Sequence, residues 1–163
     1  MEKLKTVKGT HDLLEEDFQI IDKIIKDSEE VSRSFNFEKI ATPIIEFSDL
    51  FSKTLGQGSD IVQKEMYTFI DQGKESITLR PEGTAAVARA LISNSLYEKI
   101  SQKYFYHGPM FRRERPQAGR LRQFHQFGVE SFNQESFLCD LEIIILAKKI
   151  LKTLVLDEEL ELQ

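Results

Sequence analysis

The fold is decided by one stretch of the sequence, residues 111–130, which reads FRRERPQAGRLRQFHQFGVE. From Lys103 to His125 the chain carries six lysines and arginines but a single acid, Glu114. The whole chain has a net charge of −5, which argues against indiscriminate binding of nucleic acid. A basic segment on an acidic chain therefore indicates a local site for a polyanionic ligand, with a solvated charged hairpin as the alternative.

The same stretch is predicted to belong to two long paired strands, residues 102–114 and 122–133. Because side chains alternate across a strand, odd and even positions lie on opposite faces. If the strands present matching faces, one surface collects the following side chains: Arg112, Glu114, Arg122, Phe124, Gln126, Gly128, Glu130 and Phe132. Buried arginines, carboxylates and amides need partners, so this surface is predicted to be a binding site and not a core.

The side chains on this surface suit different parts of a ligand. The guanidinium of Arg112 fits a phosphate, and the ring of Phe124 offers a flat surface for a base, a contact worth ~1–3 kcal/mol. Glu114 can accept from an exocyclic amine, and Glu130 can bind an ammonium group. A sheet surface laced with cross-strand Arg–Glu pairs is the alternative. The basic loop at residues 115–120, which contains Pro and Gly, favours the site.

A second cluster, Thr78-Leu-Arg-Pro-Glu-Gly-Thr84, leaves a predicted strand and enters a predicted helix. The first turn of a helix presents free N–H groups and the positive end of its dipole. The cluster can therefore bind an anionic or polar group. The alternative is simple capping, in which Glu82 or Thr84 satisfies the free N–H groups of the helix.

The remaining pattern predicts an α+β fold, in which helices flank an antiparallel sheet. Helices are predicted at residues 17–34, 48–54, 83–94 and 135–154, and further strands at 39–45, 66–70 and 76–80. Ser48 is predicted to cap the second helix, and Pro43 makes its strand an edge or interface strand. The last helix is predicted to bury five leucines and isoleucines: Leu138, Leu141, Ile145, Leu151 and Leu154. Residues 159–163 begin another strand pattern without a successor, which indicates a piece of a larger protein.

Length and composition place the chain among single-domain globular proteins, because 163 residues with 40% apolar and 30% charged residues can bury one core. No apolar run approaches the ~20 residues that span a bilayer, so no membrane association is predicted. The single cysteine, Cys139, cannot form a disulfide within the chain. A reducing, cytoplasmic compartment is therefore expected.

These residues resemble the histidyl family of class II aminoacyl-tRNA synthetases. Residues 111–130 are similar to motif 2 in its histidyl form, with its FRxERPQ start, Gly-Arg loop and RQFHQFG end. Residues 78–84 (TLRPEGT) resemble the family's amino-acid-binding segment, and residues 8–12 (KGTHD) its N-terminal signature. Residues 37–51, around Pro43, look like motif 1, which builds the dimer interface in this class.

The resemblance covers nearly the whole chain in the family's order. It implies that residues 1–163 form the N-terminal portion of a class II catalytic domain, with motif 1 at about 37–51 and motif 2 at about 104–132. Motif 3, the second histidine-recognition loop and the anticodon-binding domain of the family are not found in the sequence. The chain alone is therefore expected to be inactive or very weakly active.

The resemblance also implies a role for individual residues. Arg112 is expected to be catalytic, binding the α-phosphate of ATP and stabilising charge during attack on it. Glu114 is expected to bind the adenine amine, Phe124 to stack on the adenine, and Arg120 to reach the outer phosphates. Histidine is expected to be held by Glu82, Thr84, Gln126 and Glu130. Mg²⁺ is expected to accompany ATP, and no residue is assigned as a metal ligand.

One residue departs from the family pattern. Arg113 stands where the family is expected to have a histidine, and strand alternation places it on the face opposite the site. The same alternation places His125 away from the site.

The implied activity has two steps: histidine and ATP give histidyl-adenylate and pyrophosphate, and the histidyl group then passes to tRNA(His). Expected partners are L-histidine, ATP, tRNA(His) and a second copy of the parent chain. One alternative is a synthetase-like regulatory subunit of ATP phosphoribosyltransferase, which binds histidine without charging tRNA. The intact set of Arg112, Glu114 and Phe124 argues against it. A plain RNA-binding module lacks the exposed aromatic series that such a surface needs.

Overall fold

The computed structural model of the chain describes residues 4–56, 58–98, 102–115, 119–132 and 136–156. In chain order its principal elements are α1 (Glu15–Arg33), β1 (Glu38–Lys39), β2 (Ile45–Phe47), α2 (Ser48–Thr54), β3 (Tyr67–Ile70), β4 (Ser76–Leu79), α3 (Thr84–Ser93), β5 (Gln102–Phe111), β6 (Gln123–Phe132) and α4 (Phe137–Thr153). A π-helical turn at Ile61–Glu65 and a 3₁₀ turn at Leu96–Glu98 complete them. Helices and strands thus follow one another as the α+β prediction requires.

The chain divides into two compact units. The first comprises Met1–Asp12, Ala41–Asn94 and His107–Gly128, and its fully buried apolar side chains include Phe51, Val87 and Met110. The second comprises Leu13–Ile40, Ser95–Tyr106 and Val129–Gln163, with Phe105 and Leu146 among its fully buried side chains. Most of the predicted site residues belong to the first unit.

The first unit contains a three-stranded antiparallel sheet in the order β2-β4-β3. The predicted hairpin between β3 and β4 is confirmed, with Tyr67 opposite Leu79 and Ile70 opposite Ser76. Its turn is closed by Asp71, whose N–H donates to the Glu75 carbonyl (3.0 Å) and whose carboxylate accepts from the Glu75 N–H (2.9 Å). Asx side chains commonly close turns in this way.

The single strand predicted at residues 39–45 is wrong, because the segment forms β1 and β2 with a break between them. Pro43 has no N–H to donate and cannot continue a ladder. The Ile40 N–H still donates to the Phe105 carbonyl (2.9 Å), whereas the Ile44 carbonyl accepts from the Arg80 N–H (2.9 Å). The two halves therefore join different sheets, and each is an edge strand there, as Pro43 predicted.

The two long strands lie in a second sheet, in the order β1-β5-β6. Strand β1 runs parallel to β5, with Glu38 opposite Tyr104 and Lys39 opposite Phe105, so this sheet is not purely antiparallel. Both long strands are shorter than predicted at the ends that carry the arginine-rich stretch. Arg112 to Glu114 follow β5, and Arg122 precedes β6.

Helices α1 and α4 pack together in the second unit. Ser136 caps α4, and its hydroxyl accepts from the Leu138 N–H (3.3 Å). The predicted buried side of α4 is wrong: Leu138, Leu141 and Ile145 are largely exposed, while Leu146 and Ile150 are buried. Apolar residues surround most of this helix, so their spacing does not select one buried stripe. The predicted start at Glu135 and the strand at residues 159–163 lie outside the described residues.

Helix α2 ends at Thr54 as predicted, but its N-cap is one residue earlier than predicted. Phe47 occupies the N-cap position, and its side chain makes no capping hydrogen bond. Ser48 is the first helical residue, and its hydroxyl accepts from the Ser76 hydroxyl (3.0 Å) instead. The predicted Ser48 cap is therefore wrong. Among the described residues, no helix is long and apolar enough to cross a membrane.

Candidate nucleotide and amino-acid site

The arginine-rich stretch is held where β5 ends and β6 begins. The Arg112 N–H donates to the Arg122 carbonyl (3.0 Å), which adds one backbone hydrogen bond beyond the two strands. The Arg122 N–H donates to the carbonyl of Gly9 (2.7 Å). Gly9 has φ +86°, and a Cβ there would lie 2.8 Å from Cγ of Arg122. The N-terminal KGTHD segment therefore packs on Arg122 through a position that favours glycine.

Arg112 and Phe124 lie together, as strand alternation predicted. The guanidinium carbon of Arg112 is 5.2 Å from the centroid of the Phe124 ring, within the range of a cation–π contact. Nε of Arg112 donates to the carbonyl of Pro81 (3.0 Å). Both side chains are half-buried. A positive charge and a flat ring are thus side by side, so that one ligand with a phosphate and a base can contact both.

Glu114 and Arg120 form an ion pair, with Nη1 of Arg120 donating to Oε2 of Glu114 (3.2 Å). The Arg120 side chain is 62% exposed and that of Glu114 is 17% exposed. Because the Arg120 side chain is largely exposed, a phosphate group of a ligand can compete with Glu114 for it. The main chain of Glu114 is fixed separately, because its carbonyl accepts from Nε of Arg122 (3.3 Å).

A pocket of about 740 Å³ opens at this cluster. Five cationic side chains and two carboxylates line it: Lys64, Arg113, Arg115, Arg120, Arg122, Glu65 and Glu114. The excess of cations matches the polyanionic ligand that the basic stretch predicted.

Arg113 was predicted to lie off the site, and this is wrong, because it lines the same pocket as Glu114. Strict alternation applies only within a strand, and β5 ends at Phe111. The Arg113 N–H instead donates to the carbonyl of Glu65 (2.7 Å) in the π-helical turn. That turn brings Lys64 and Glu65 to the pocket, a contribution that no spacing rule in the sequence indicated.

Glu82 and Thr84 stand at the start of α3. The Glu82 carboxylate caps the helix, accepting from the N–H groups of Thr84 (2.6 Å) and Ala85 (3.0 Å). Glu82 is 8% exposed, whereas Thr84 is exposed. The capping alternative is therefore observed. A carboxylate has about four acceptor positions, so two capping hydrogen bonds leave capacity for a ligand.

Gln126 and Glu130 follow on β6. Oε1 of Gln126 is buried and has no hydrogen-bond partner, which is costly for an amide oxygen unless a ligand supplies the donor. Glu130 belongs to the second unit, where its Oε1 accepts from the Tyr106 hydroxyl (3.4 Å). His125 is exposed.

Arg80 belongs to the Thr78–Thr84 segment and had no predicted role; its side chain is buried and bonds to two other parts of the first unit. The ion pair between Arg89 on α3 and the buried Glu46 on β2, in which Nε of Arg89 is 3.2 Å from Oε2, had no predicted role either. For Arg80, the sequence feature that could have indicated an unusual contact is the Gly108-Pro109 pair within a strand.

The chain is similar to known proteins in both sequence and fold. The family model described as histidyl-tRNA synthetase matches residues 9–163. A histidine–tRNA ligase of Gluconobacter oxydans is 51% identical over 163 residues, which are 100% of this chain and 39% of that protein. The apo structure of Staphylococcus aureus histidyl-tRNA synthetase has a TM-score of 0.77 at 38% identity, covering 93% of this chain and 35% of that one.

A third match is a Bacillus halodurans structure named as an ATP phosphoribosyltransferase regulatory subunit/histidyl-tRNA synthetase. Its TM-score is 0.78 at 26% identity, with 91% of this chain and 38% of that chain covered. The chain thus spans less than two fifths of the length of these proteins.

The fold is that of a class II aminoacyl-tRNA synthetase core. With the family model matching almost all of its length, the chain belongs to the histidyl-tRNA synthetase family.

Proposed function

We propose that this chain supplies the ATP-binding and part of the histidine-binding surface of a histidine–tRNA ligase. The observation that carries the proposal is the Arg112–Phe124 contact at 5.2 Å beside a cationic pocket. Arg112 binds the α-phosphate and Phe124 stacks on the adenine. Glu114 accepts from the adenine amine, and Arg120 turns from Glu114 to the outer phosphates. Residues 37–51 correspond to motif 1 and residues 104–132 to motif 2.

The complete reaction joins histidine to the α-phosphate of ATP, releases pyrophosphate, and then transfers the histidyl group to tRNA(His). Positioning and charge stabilisation accelerate such a step more than any protein nucleophile does. Arg112 stabilises the negative charge that develops on the α-phosphate oxygens. Glu82, Thr84, Gln126 and Glu130 orient the histidine so that its carboxylate faces that phosphate.

Mg²⁺ would neutralise phosphate charge when it is bound with ATP. The described part of the chain has no group of three or more His, Cys, Asp or Glu side chains placed to hold a metal ion. Mg²⁺ in ATP sites is commonly held by one or two carboxylates together with the phosphates, and no residue of this chain is assigned as its ligand.

The protein is proposed to act in the cytoplasm and to dimerise through motif 1. Within motif 1, Ile44, Ile45 and Phe47 are exposed apolar side chains, which supports an interface there. The alternative of a regulatory subunit without charging activity is not favoured. It would not require the ATP-binding set of Arg112, Glu114 and Phe124, and the histidine–tRNA ligase of Gluconobacter oxydans named above is 51% identical over the whole chain.

Nucleotide selectivity tests this proposal. Calorimetric titration of the chain in the presence of Mg²⁺ is expected to show ATP binding about tenfold tighter than GTP binding, because Glu114 accepts from the adenine amine but opposes the guanine carbonyl oxygen. Equal affinities would refute adenine recognition by Glu114. Absence of ATP binding would refute the claim that this chain carries the nucleotide surface.

Gln126 provides a separate test at the histidine end. Gln126→Met removes the buried oxygen that has no partner, so the free energy of unfolding is expected to rise by about 1 kcal/mol. The affinity for histidine is expected to fall about tenfold, since one oriented hydrogen-bond partner is lost. Urea unfolding and histidine calorimetry measure the two effects. Gln123→Met, on the opposite face of β6, is the control, and unchanged histidine affinity in Gln126→Met would remove Gln126 from the site.

A further inference from the structure

Arg80 is a buried arginine between β4 and α3 that lies outside the set of residues assigned to substrates. It is 4% exposed. Its Nε donates to the carbonyl of Pro109 (3.1 Å), and its Nη1 donates to the carbonyl (3.0 Å) and the hydroxyl (3.1 Å) of Thr42. One guanidinium thus joins the segment before β2 to the end of β5.

The main chain of Arg80 contacts the same two segments. Its N–H donates to the Ile44 carbonyl (2.9 Å), and its carbonyl accepts from the Phe111 N–H (3.0 Å). The break at Pro43 makes this possible, because the carbonyls of Thr42 and Ile44 are not engaged within a continuous strand. Arg80 therefore holds both neighbours through its side chain and its backbone together.

Gly108 makes room for this guanidinium. It has φ +152°, and a Cβ there would lie 2.3 Å from Nη2 of Arg80. Real Cβ atoms do not approach other atoms so closely, and the guanidinium cannot simply swing away because its hydrogen bonds to Pro109 and Thr42 fix it. Any side chain at position 108 is therefore expected to displace Arg80.

The residues next to Arg80 contact the candidate site directly. The carbonyl of Pro81 accepts from Nε of Arg112 (3.0 Å), and Phe111, whose N–H bonds to Arg80, precedes Arg112 in the chain. We propose that Arg80 is a positioning residue, which fixes the Pro81 carbonyl and the Phe111–Arg112 backbone so that the Arg112 guanidinium stays over Phe124. This inference rests on the proposed function, because Arg112 is taken there to bind the α-phosphate of ATP.

Arg80→Lys keeps the positive charge but not the planar fork, and one ammonium cannot replace donors that point to both Pro109 and Thr42. Gly108→Ala keeps the guanidinium and only displaces it. Both variants are expected to lower ATP affinity about tenfold, because small displacements of a positioned charge have large effects. Arg89→Lys is the matched control: it alters a different guanidinium in the same unit, and ATP affinity is expected to remain within about twofold.

The direct readout is the side-chain Nε–H signal of Arg112 in ¹H–¹⁵N spectra, assigned by its absence in Arg112→Lys. The signal is expected to shift in Arg80→Lys and Gly108→Ala and to stay in place in Arg89→Lys. A general loss of stability would also change the amide signals of α4. A shift of the Arg112 signal with unchanged α4 signals therefore reports a local displacement of Arg112. If Arg80→Lys does not fold, Thr42→Val, which removes one acceptor, takes its place.

The results separate the two claims. A wild-type chain that fails to bind ATP would contradict the proposed function, yet the Arg112 signal would still decide the role of Arg80. Folded Arg80→Lys and Gly108→Ala variants with an unmoved Arg112 signal would overturn the positioning role, whatever their ATP affinity. A moved signal with wild-type ATP affinity would also overturn it, because the positioning would then have no effect on the nucleotide.

Discussion

Replacing Arg112 with methionine is expected to weaken ATP binding by about 30- to 1000-fold. Arg112 is the half-buried cation whose guanidinium lies 5.2 Å from the Phe124 ring and is oriented by the Pro81 carbonyl. Loss of one partner in such a charged, hydrogen-bonded contact costs about 2–4 kcal/mol, and each 1.4 kcal/mol is a factor of ten. Methionine keeps most of the apolar contact with the Phe124 ring, so the loss of affinity measures the contribution of the guanidinium group. Calorimetric titration with ATP measures the effect.

The neighbouring Arg113 is the matched control, because it is exposed and lines the cationic pocket with Glu114 and Arg120. Arg113→Met is expected to weaken ATP binding only about two- to threefold at 0.15 M salt, where the Debye length is about 8 Å. Adding salt should reduce the effect of Arg113→Met but leave most of that of Arg112→Met. Equal losses in the two variants would show that the pocket attracts ATP by overall charge and that Arg112 has no special role.

Side-chain alternation predicted the position of Arg112 correctly, although this residue follows the end of β5. Its backbone bond to Arg122 adds one pair to the ladder, so alternation still describes Arg112 and places it beside Phe124. Alternation fails at the next residue, because the Arg113 N–H bonds to the π-helical turn at Glu65. Within this hairpin, strand alternation thus predicted the position of Arg112 beside Phe124 correctly, and it failed for Arg113 where the backbone leaves the ladder.

The start of α3 shows a different kind of limit. The sequence indicated both a capping role and a ligand role for Glu82, and the two hydrogen bonds to Thr84 and Ala85 show that the capping role is real. Spacing along the chain identifies the helix start but not how many acceptor positions remain for a ligand.

The long-range contacts of Arg80 could not be predicted from the sequence. Arg80 reaches Thr42 and Pro109, which are 38 and 29 residues away in the chain. Local periodicity carries no information about which distant carbonyls a buried guanidinium will reach. Pro43 indicated an irregular strand, and Arg80 bonds to Thr42 and Ile44 on either side of it.

Helix α4 gives the clearest contrast between pattern and packing, and it leads to the largest expected effect on stability. Leu146→Ala is expected to lower the free energy of unfolding by about 3–5 kcal/mol, because Leu146 is fully buried and its truncation leaves a cavity. That is a large part of the ~5–15 kcal/mol that stabilises a typical domain. Urea unfolding followed by circular dichroism measures the change.

Leu141→Ala in the same helix is the control, with the same substitution and the same helix propensity. Leu141 is 45% exposed, so less apolar surface is lost and the expected change is about 1 kcal/mol. The sequence pattern had placed Leu141, and not Leu146, on the buried side. A larger loss of stability in Leu141→Ala than in Leu146→Ala would therefore show that the pattern located the buried side of α4 correctly and that the structure has the helix rotated.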